Sequence, residues 1–206
     1  MTFLGNNHIG FDAAELGFPS IAGCHAIVLV AANGLFGLHN MGGADPGQWD
    51  GRSTAFGAYV KGLGGSYGAT MLYGVCYATG GNSRGYGTAG AKAVWLNELQ
   101  SFAKKVSYGG PIWGYDLADQ LVPPSVTVMF NRVGANCVIQ VKPYVPTEDK
   151  KGAVVDTAHH KLMKAGLGQN LQNAGTKYVI DNITTQVVRS TTTGPLKTIY
   201  PDKLRG

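Results

Sequence analysis

The chain has 206 residues, enough for one domain with a proper core. Hydrophobic residues make up 44% and charged residues only 14%, which excludes a disordered or highly charged tail-like protein. The formal charge of +5 comes from scattered Lys and Arg, concentrated only at Lys150-Lys151 and the tail. No basic, aromatic-interleaved stripe appears, so nucleic acid is not an expected partner.

Glycine accounts for 31 residues, about twice ordinary usage, without a collagen-like period. Tight turns and close backbone approaches are therefore expected. Cys24, Cys76 and Cys137 are odd in number and far apart. With no CxxC pair, neither a zinc site nor a disulfide framework is expected, and no metal or other cofactor is assigned. Cys76 and Cys137 are expected to be buried, reduced and outside any disulfide. The opening MTFLGNNHIGF lacks a basic segment followed by an apolar one, so no cleavable signal is read there. No apolar run approaches the roughly 18 residues of a membrane span. The expectation is synthesis in the cytoplasm, with any secretion or delivery into a target cell using a route that reads no cleavable signal.

In chain order, residues 1–20 read as an irregular entry with a short helical piece over 12–16. Phe18-Pro19-Ser20 then marks a break. Residues 21–40, IAGCHAIVLVAANGLFGLHN, place Asn33-Gly34 between two apolar runs, a strong hairpin signal. Residues 40–52 read as a long polar loop. Residues 53–63 have helical spacing, with Phe56, Tyr59, Val60 and Leu63 apolar. Residues 69–79 read as a buried strand carrying Cys76, and 80–90 as a Gly-rich loop without the GxxxxGK[ST] phosphate pattern. The clearest helix spans 91–106, with an apolar stripe of Val94, Trp95, Leu99, Phe102 and Val106 and a basic C-terminal end. Residues 111–120 read as loop, or as a short helix over 116–120, and Pro123-Pro124 as a stop. Strands over 126–132 and 136–144 form a second hairpin around Gly134-Ala135. Beyond Pro146 come a charged turn, a short helix over 156–166 with His159-His160, strand character over 176–190, and a loose Thr-rich stretch. Residues 1–146 thus read as the core, and 147–206 as a C-terminal extension packed on it within one domain. Two hairpins rather than regular βαβ units predict an α/β fold of the α+β type. Its largely antiparallel, mixed sheets would be layered or sandwich-like, with flanking helices.

Chemistry concentrates in the first hairpin. If the turn closes at Asn33-Gly34, His39 lies opposite Val28, while a looser loop puts it opposite Cys24. Side chains alternate faces with period two, so either register leaves Cys24 and His39 on one face. In the tight register they are roughly 13 Å apart along the strand, so contact favours the looser or a bulged arrangement. His25 points to the opposite face and reads as a structural or surface histidine. The bland alternative for the pair is a half-buried cysteine with a rim histidine.

Gly23-Cys24 opening an apolar strand, followed by a turn and His39 on the next strand, resembles the catalytic pattern of the bacterial glutamine deamidases. These include the Rho-activating domain of the cytotoxic necrotizing factors and the chemoreceptor deamidases of bacterial chemotaxis. The resemblance covers about residues 18–43. It implies a sandwich-like fold and hydrolysis of a glutamine side-chain amide on a protein substrate. Cys24 would be the nucleophile and His39 the general base and acid, with Gly23 and Asn40 near the substrate and oxyanion. The family's third, orienting group is a side chain in some members and a backbone carbonyl in others. Ser20 is the nearest candidate here, ahead of Asn6 and Asn7. The residue types suit this chemistry: an imidazole activates the thiol, and backbone N–H groups near an open Gly bind the oxyanion. A toxin or effector role, with an inhibitor or immunity protein as a further partner, fits such an enzyme. Two alternatives stand beside it. One is a papain-like amidase or protease pairing Cys76 with His159 or His160; the other is a non-enzymatic basic binding protein.

Overall fold

The computed structural model describes residues 2–5, 8–41, 46–64, 68–79, 91–119, 125–144, 153–155, 186–188 and 195–206. The strands are β1 (Thr2–Phe3), β2 (Ile9–Asp12), β3 (Glu15–Ile21), β4 (Cys24–Ala31), β5 (Gly34–Met41), β6 (Met71–Cys76), β7 (Ile112–Asp116), β8 (Val126–Val133), β9 (Asn136–Pro143), β10 (Ala153–Val155), β11 (Gln186–Val188), β12 (Lys197–Ile199) and β13 (Asp202–Arg205). Two helices, α1 (Pro46–Gly62) and α2 (Ala91–Lys105), and a 3-10 turn at Leu117–Asp119 complete the described elements.

The strands form a five-stranded sheet in the order β1-β3-β8-β9-β12 and a six-stranded sheet in the order β13-β7-β6-β4-β5-β2. β10 and β11 pair separately. Among the described residues, only β1/β3 and β6/β7 pair in parallel within the two large sheets. The fold is therefore mixed α+β with largely antiparallel sheets, as the two hairpins predict.

β4 explains the layering. Its eight residues CHAIVLVA are all buried, because both of its faces are covered. Ala26, Val28 and Val30 join Leu16, Phe18, Val128 and Phe130 of the five-stranded sheet in one core. Ile27, Leu29 and Ala31 join Phe56, Tyr59, Trp95, Leu99 and Phe102 of the helices in the other. Sheet, sheet and helices make three layers, with β4 in the middle one.

Several local expectations are corrected. Residues 12–16 are not helical: Asp12 ends β2, and its Oδ1 accepts bonds from the backbone N–H groups of Ala14 and Glu15. That side-chain bond turns the chain directly into β3. Phe18-Pro19-Ser20 does not end the strand; β3 continues through a bulge where its register against β8 shifts between Phe18 and Ile21. Residues 40–52 are not all loop, since Pro46 opens α1 at a position where a missing N–H costs nothing. Ile112–Asp116 is not loop but β7, parallel to β6, with α2 in the connection, so one βαβ unit exists after all. The 3-10 turn at Leu117–Asp119 falls where the short helix over 116–120 was expected. The β8–β9 hairpin turns at Gly134-Ala135 as expected, Gly134 taking φ 61°. The C-terminal strands complete both sheets, β12 pairing with β9 and β13 with β7. The expected helix over 156–166, the Gly-rich loop over 80–90 and the Pro123-Pro124 stop lie outside the described residues.

Candidate active site

The β4–β5 hairpin follows a third register, between the two expected ones. Ala31 pairs with Gly34 and Ala26 with His39. Among the described residues only Ser20 and Ser107 are non-glycines with positive φ, so Asn33 does not adopt the type I′ conformation. Tertiary bonds hold the turn instead. Asn33 Nδ2 donates to the Leu63 carbonyl at 3.1 Å, and Arg132 Nη2 to the Ala32 carbonyl at 2.7 Å. Gly34 takes φ 154°, where an added Cβ would lie 2.7 Å from the Asp12 carbonyl oxygen.

Parity survives this change. Cys24 lies two residues from His39's partner Ala26, which makes the two side chains diagonal neighbours on the face towards the five-stranded sheet. Such neighbours are about 7–8 Å apart at the backbone, within reach of long side chains. Cys24 is 6% exposed and His39 is fully buried. Gly23, just before the cysteine, is exposed, and an added Cβ there would meet nothing within 4 Å.

His39 is anchored by the N-terminal segment. Its Nδ1–H donates to the Leu4 carbonyl at 2.7 Å, and its backbone N–H to the His8 carbonyl at 3.0 Å. The Phe18 ring meets the imidazole edge-on at 6.2 Å between centroids. Since a carbonyl only accepts, the Leu4 bond puts the proton of the neutral ring on Nδ1 and the basic lone pair on Nε2. The orienting group on this histidine is thus a backbone carbonyl, which no residue type announces in a sequence. Ser20 sits half-buried on the β3 bulge with φ 58°, and Asn6 and Asn7 lie outside the described residues.

Asn40 departs from its expected place. It pairs with His25, on the opposite face from Cys24, and its Nδ2 donates to Glu98 Oε1 at 2.8 Å. Its amide therefore does not stand beside the thiol. His25 is fully buried on that opposite face, which is the structural alternative of the two expected for it. Its ring lies 3.2 Å from Glu98 Oε2 through Nδ1 and accepts a bond from Trp95 Nε1 at 3.1 Å. Glu98 was legible in principle, as a carboxylate three positions after Trp95 in an otherwise apolar stripe.

The pair sits at one end of the six-stranded sheet, where β4 begins and β5, β6 and β7 end. Asp116 at the end of β7 accepts bonds from the backbone N–H groups of Ala78, Thr79 and Ala118 and from the Thr79 hydroxyl. These bonds fix the chain as it leaves β6. Tyr77 shares the apolar cluster with Cys24, and burial pushes its phenol up to about 12, so it stays neutral at ordinary pH.

Cys76 is fully buried within β6, facing the helices. Its proposed partners His159 and His160 lie outside the described residues. Cys137 is half-buried rather than buried, and none of the three cysteines forms a disulfide. Among the described residues no group of His, Cys, Asp and Glu could hold a metal ion, and no helix is long and apolar enough to cross a membrane. No protein-family model matches the chain, and no curated protein matches it.

Proposed function

We propose that the protein is a cysteine-dependent amidase of the protein-glutamine deamidase type. One observation carries the reading: Cys24 and His39 are diagonal neighbours on one sheet face, and the Leu4 carbonyl sets the histidine's tautomer for base work at Nε2. In the proposed reaction Nε2 takes the thiol proton, and sulfur attacks the side-chain amide carbon of a glutamine. Backbone N–H groups beside the open Gly23 stabilise the oxyanion. The imidazolium returns its proton to the departing ammonia, and water cleaves the thioester to leave glutamate.

The substrate class, a protein with an exposed glutamine, follows from the resemblance of residues 18–43. The exposed Gly23 beside Cys24, with open space where a Cβ would stand, is compatible with a large substrate. A toxin or effector role, with an inhibitory partner in the producing cell, follows from the resemblance of residues 18–43. The test is ammonia release, together with the mass gain of amide-to-carboxyl conversion, across a panel of candidate proteins. The wild-type chain is expected to produce both, and Cys24→Ala neither. A mass gain retained by Cys24→Ala would refute the assignment.

A further inference from the structure

The polar residues behind the proposed catalytic pair form one connected, fully buried set. His25, Asn40 and Glu98 are each 0% exposed. Glu98 on α2 bonds Asn40 Nδ2 through Oε1 at 2.8 Å and His25 Nδ1 through Oε2 at 3.2 Å. Trp95, one helical turn earlier, donates to His25 Nε2 at 3.1 Å. An indole N–H can only donate, so His25 Nε2 carries the lone pair and Nδ1 the proton. Glu98 then accepts from both strands as a carboxylate.

The position of these residues in the chain gives the set its significance. His25 directly follows Cys24, Asn40 directly follows His39, and His25 and Asn40 are register partners across β4 and β5. A single carboxylate therefore bonds to both strands, one residue from each proposed catalytic side chain. Folding alone does not require this arrangement, since well-packed apolar residues can often replace a buried charged group and its partners without loss of stability. Chemistry between two side chains does call for it, because small misplacements of reacting groups cost rate steeply.

We infer that Glu98 is a positioning residue, clamping β4 to β5 from the helix side and thereby fixing the spacing of Cys24 and His39. The inference rests on the reading of those two residues as a catalytic pair. The test is alkylation of the folded protein by iodoacetamide at about pH 7 and about pH 9.5, followed cysteine by cysteine by mass spectrometry. The variants are Glu98→Gln, Asn40→Ala and His39→Asn, with the half-buried Cys137 as internal reference. Each variant is expected to lower the ratio of the Cys24 rate at the lower pH to that at the higher pH about tenfold, leaving the Cys137 ratio unchanged. If His39→Asn leaves the Cys24 ratio unchanged, the catalytic pair fails and the clamp with it. If His39→Asn lowers the ratio but Glu98→Gln and Asn40→Ala do not, the pair stands and the clamp is overturned. A merely structural Glu98 would loosen the strands and raise the Cys24 rate equally at both pH values, which also overturns it. Should Glu98→Gln fail to fold, Asn40→Ala decides the question by the same ratio.

Discussion

Cys24 and His39 differ in what their removal should do to the fold. Cys24→Ala deletes a small group at the sheet end and is expected to cost only about 1 kcal/mol while abolishing glutamine conversion. His39→Ala would leave both a cavity and the buried Leu4 carbonyl unsatisfied, so a loss of about 2–4 kcal/mol is expected. His39→Asn keeps a donor and is the cleaner probe of chemistry. Activity measured on the folded fraction should be equally absent in Cys24→Ala and in the Cys24→Ala/His39→Asn double variant, because members of a catalytic unit are not additive. Cys76→Ala should instead cost stability through a cavity in the helix-side core and spare the reaction.

At the level of elements, α2 offers two opposite tests. Its C-terminus closes with Tyr108 N–H on the Ala103 carbonyl at 2.8 Å and Ser107 N–H on the Lys104 carbonyl at 3.1 Å, a Schellman arrangement with Ser107 at φ 57°. Ser107→Gly removes the penalty of a side chain there and is expected to stabilise by about 0.5–1 kcal/mol, read as a rise of roughly 2 °C in the melting temperature. Gly74→Ala on β6 should do the reverse. Its Cβ would press against Leu99 and the imidazole of His25, which two hydrogen bonds hold in place. A cost of about 1–3 kcal/mol is expected by thermal melting. The sequence made α2 and both hairpins legible, because apolar period and turn residues agree in each. It hid the start of α1, where glycines and polar residues mask the helix around Trp49, and it hid β7, a short strand defined by its parallel partner. The hairpin register also escaped, because Leu63 and Arg132, remote in sequence, decide the turn. Of the site, the face shared by Cys24 and His39 was legible from parity alone. The Leu4 carbonyl was not, since any residue type could supply it.

For the whole molecule, stability should fall at both ends of the pH range, for different reasons. Burial pushes Tyr77 and Tyr108 from 10.0 up to about 12, and Cys137 from 9.0 up to about 12. These groups stay protonated in the folded chain while the unfolded chain releases their protons. Their contribution is complete below about pH 9 and is lost as pH rises towards about 12. Cys137→Ser should remove the earliest part of that alkaline loss in a series of melting curves. Asp12 acts in the opposite direction. Burial alone would raise its carboxyl, but bonds from Glu15, Ala14 and Thr2 outweigh this and hold it below 3.8. Its contribution is present above that value and disappears on further acidification, an effect Asp12→Asn should abolish.

The two short C-terminal strands also dictate an order of events. β12 and β13 are joined by only Tyr200 and Pro201, yet one completes the five-stranded sheet and the other the six-stranded sheet. Until they arrive, β9 and β7 each present an open edge capable of pairing with another chain. These pairings span long sequence separations and so form slowly. Refolding is therefore a contest between intramolecular closure and self-association, and its yield should fall as protein concentration rises, even where the finished fold is stable.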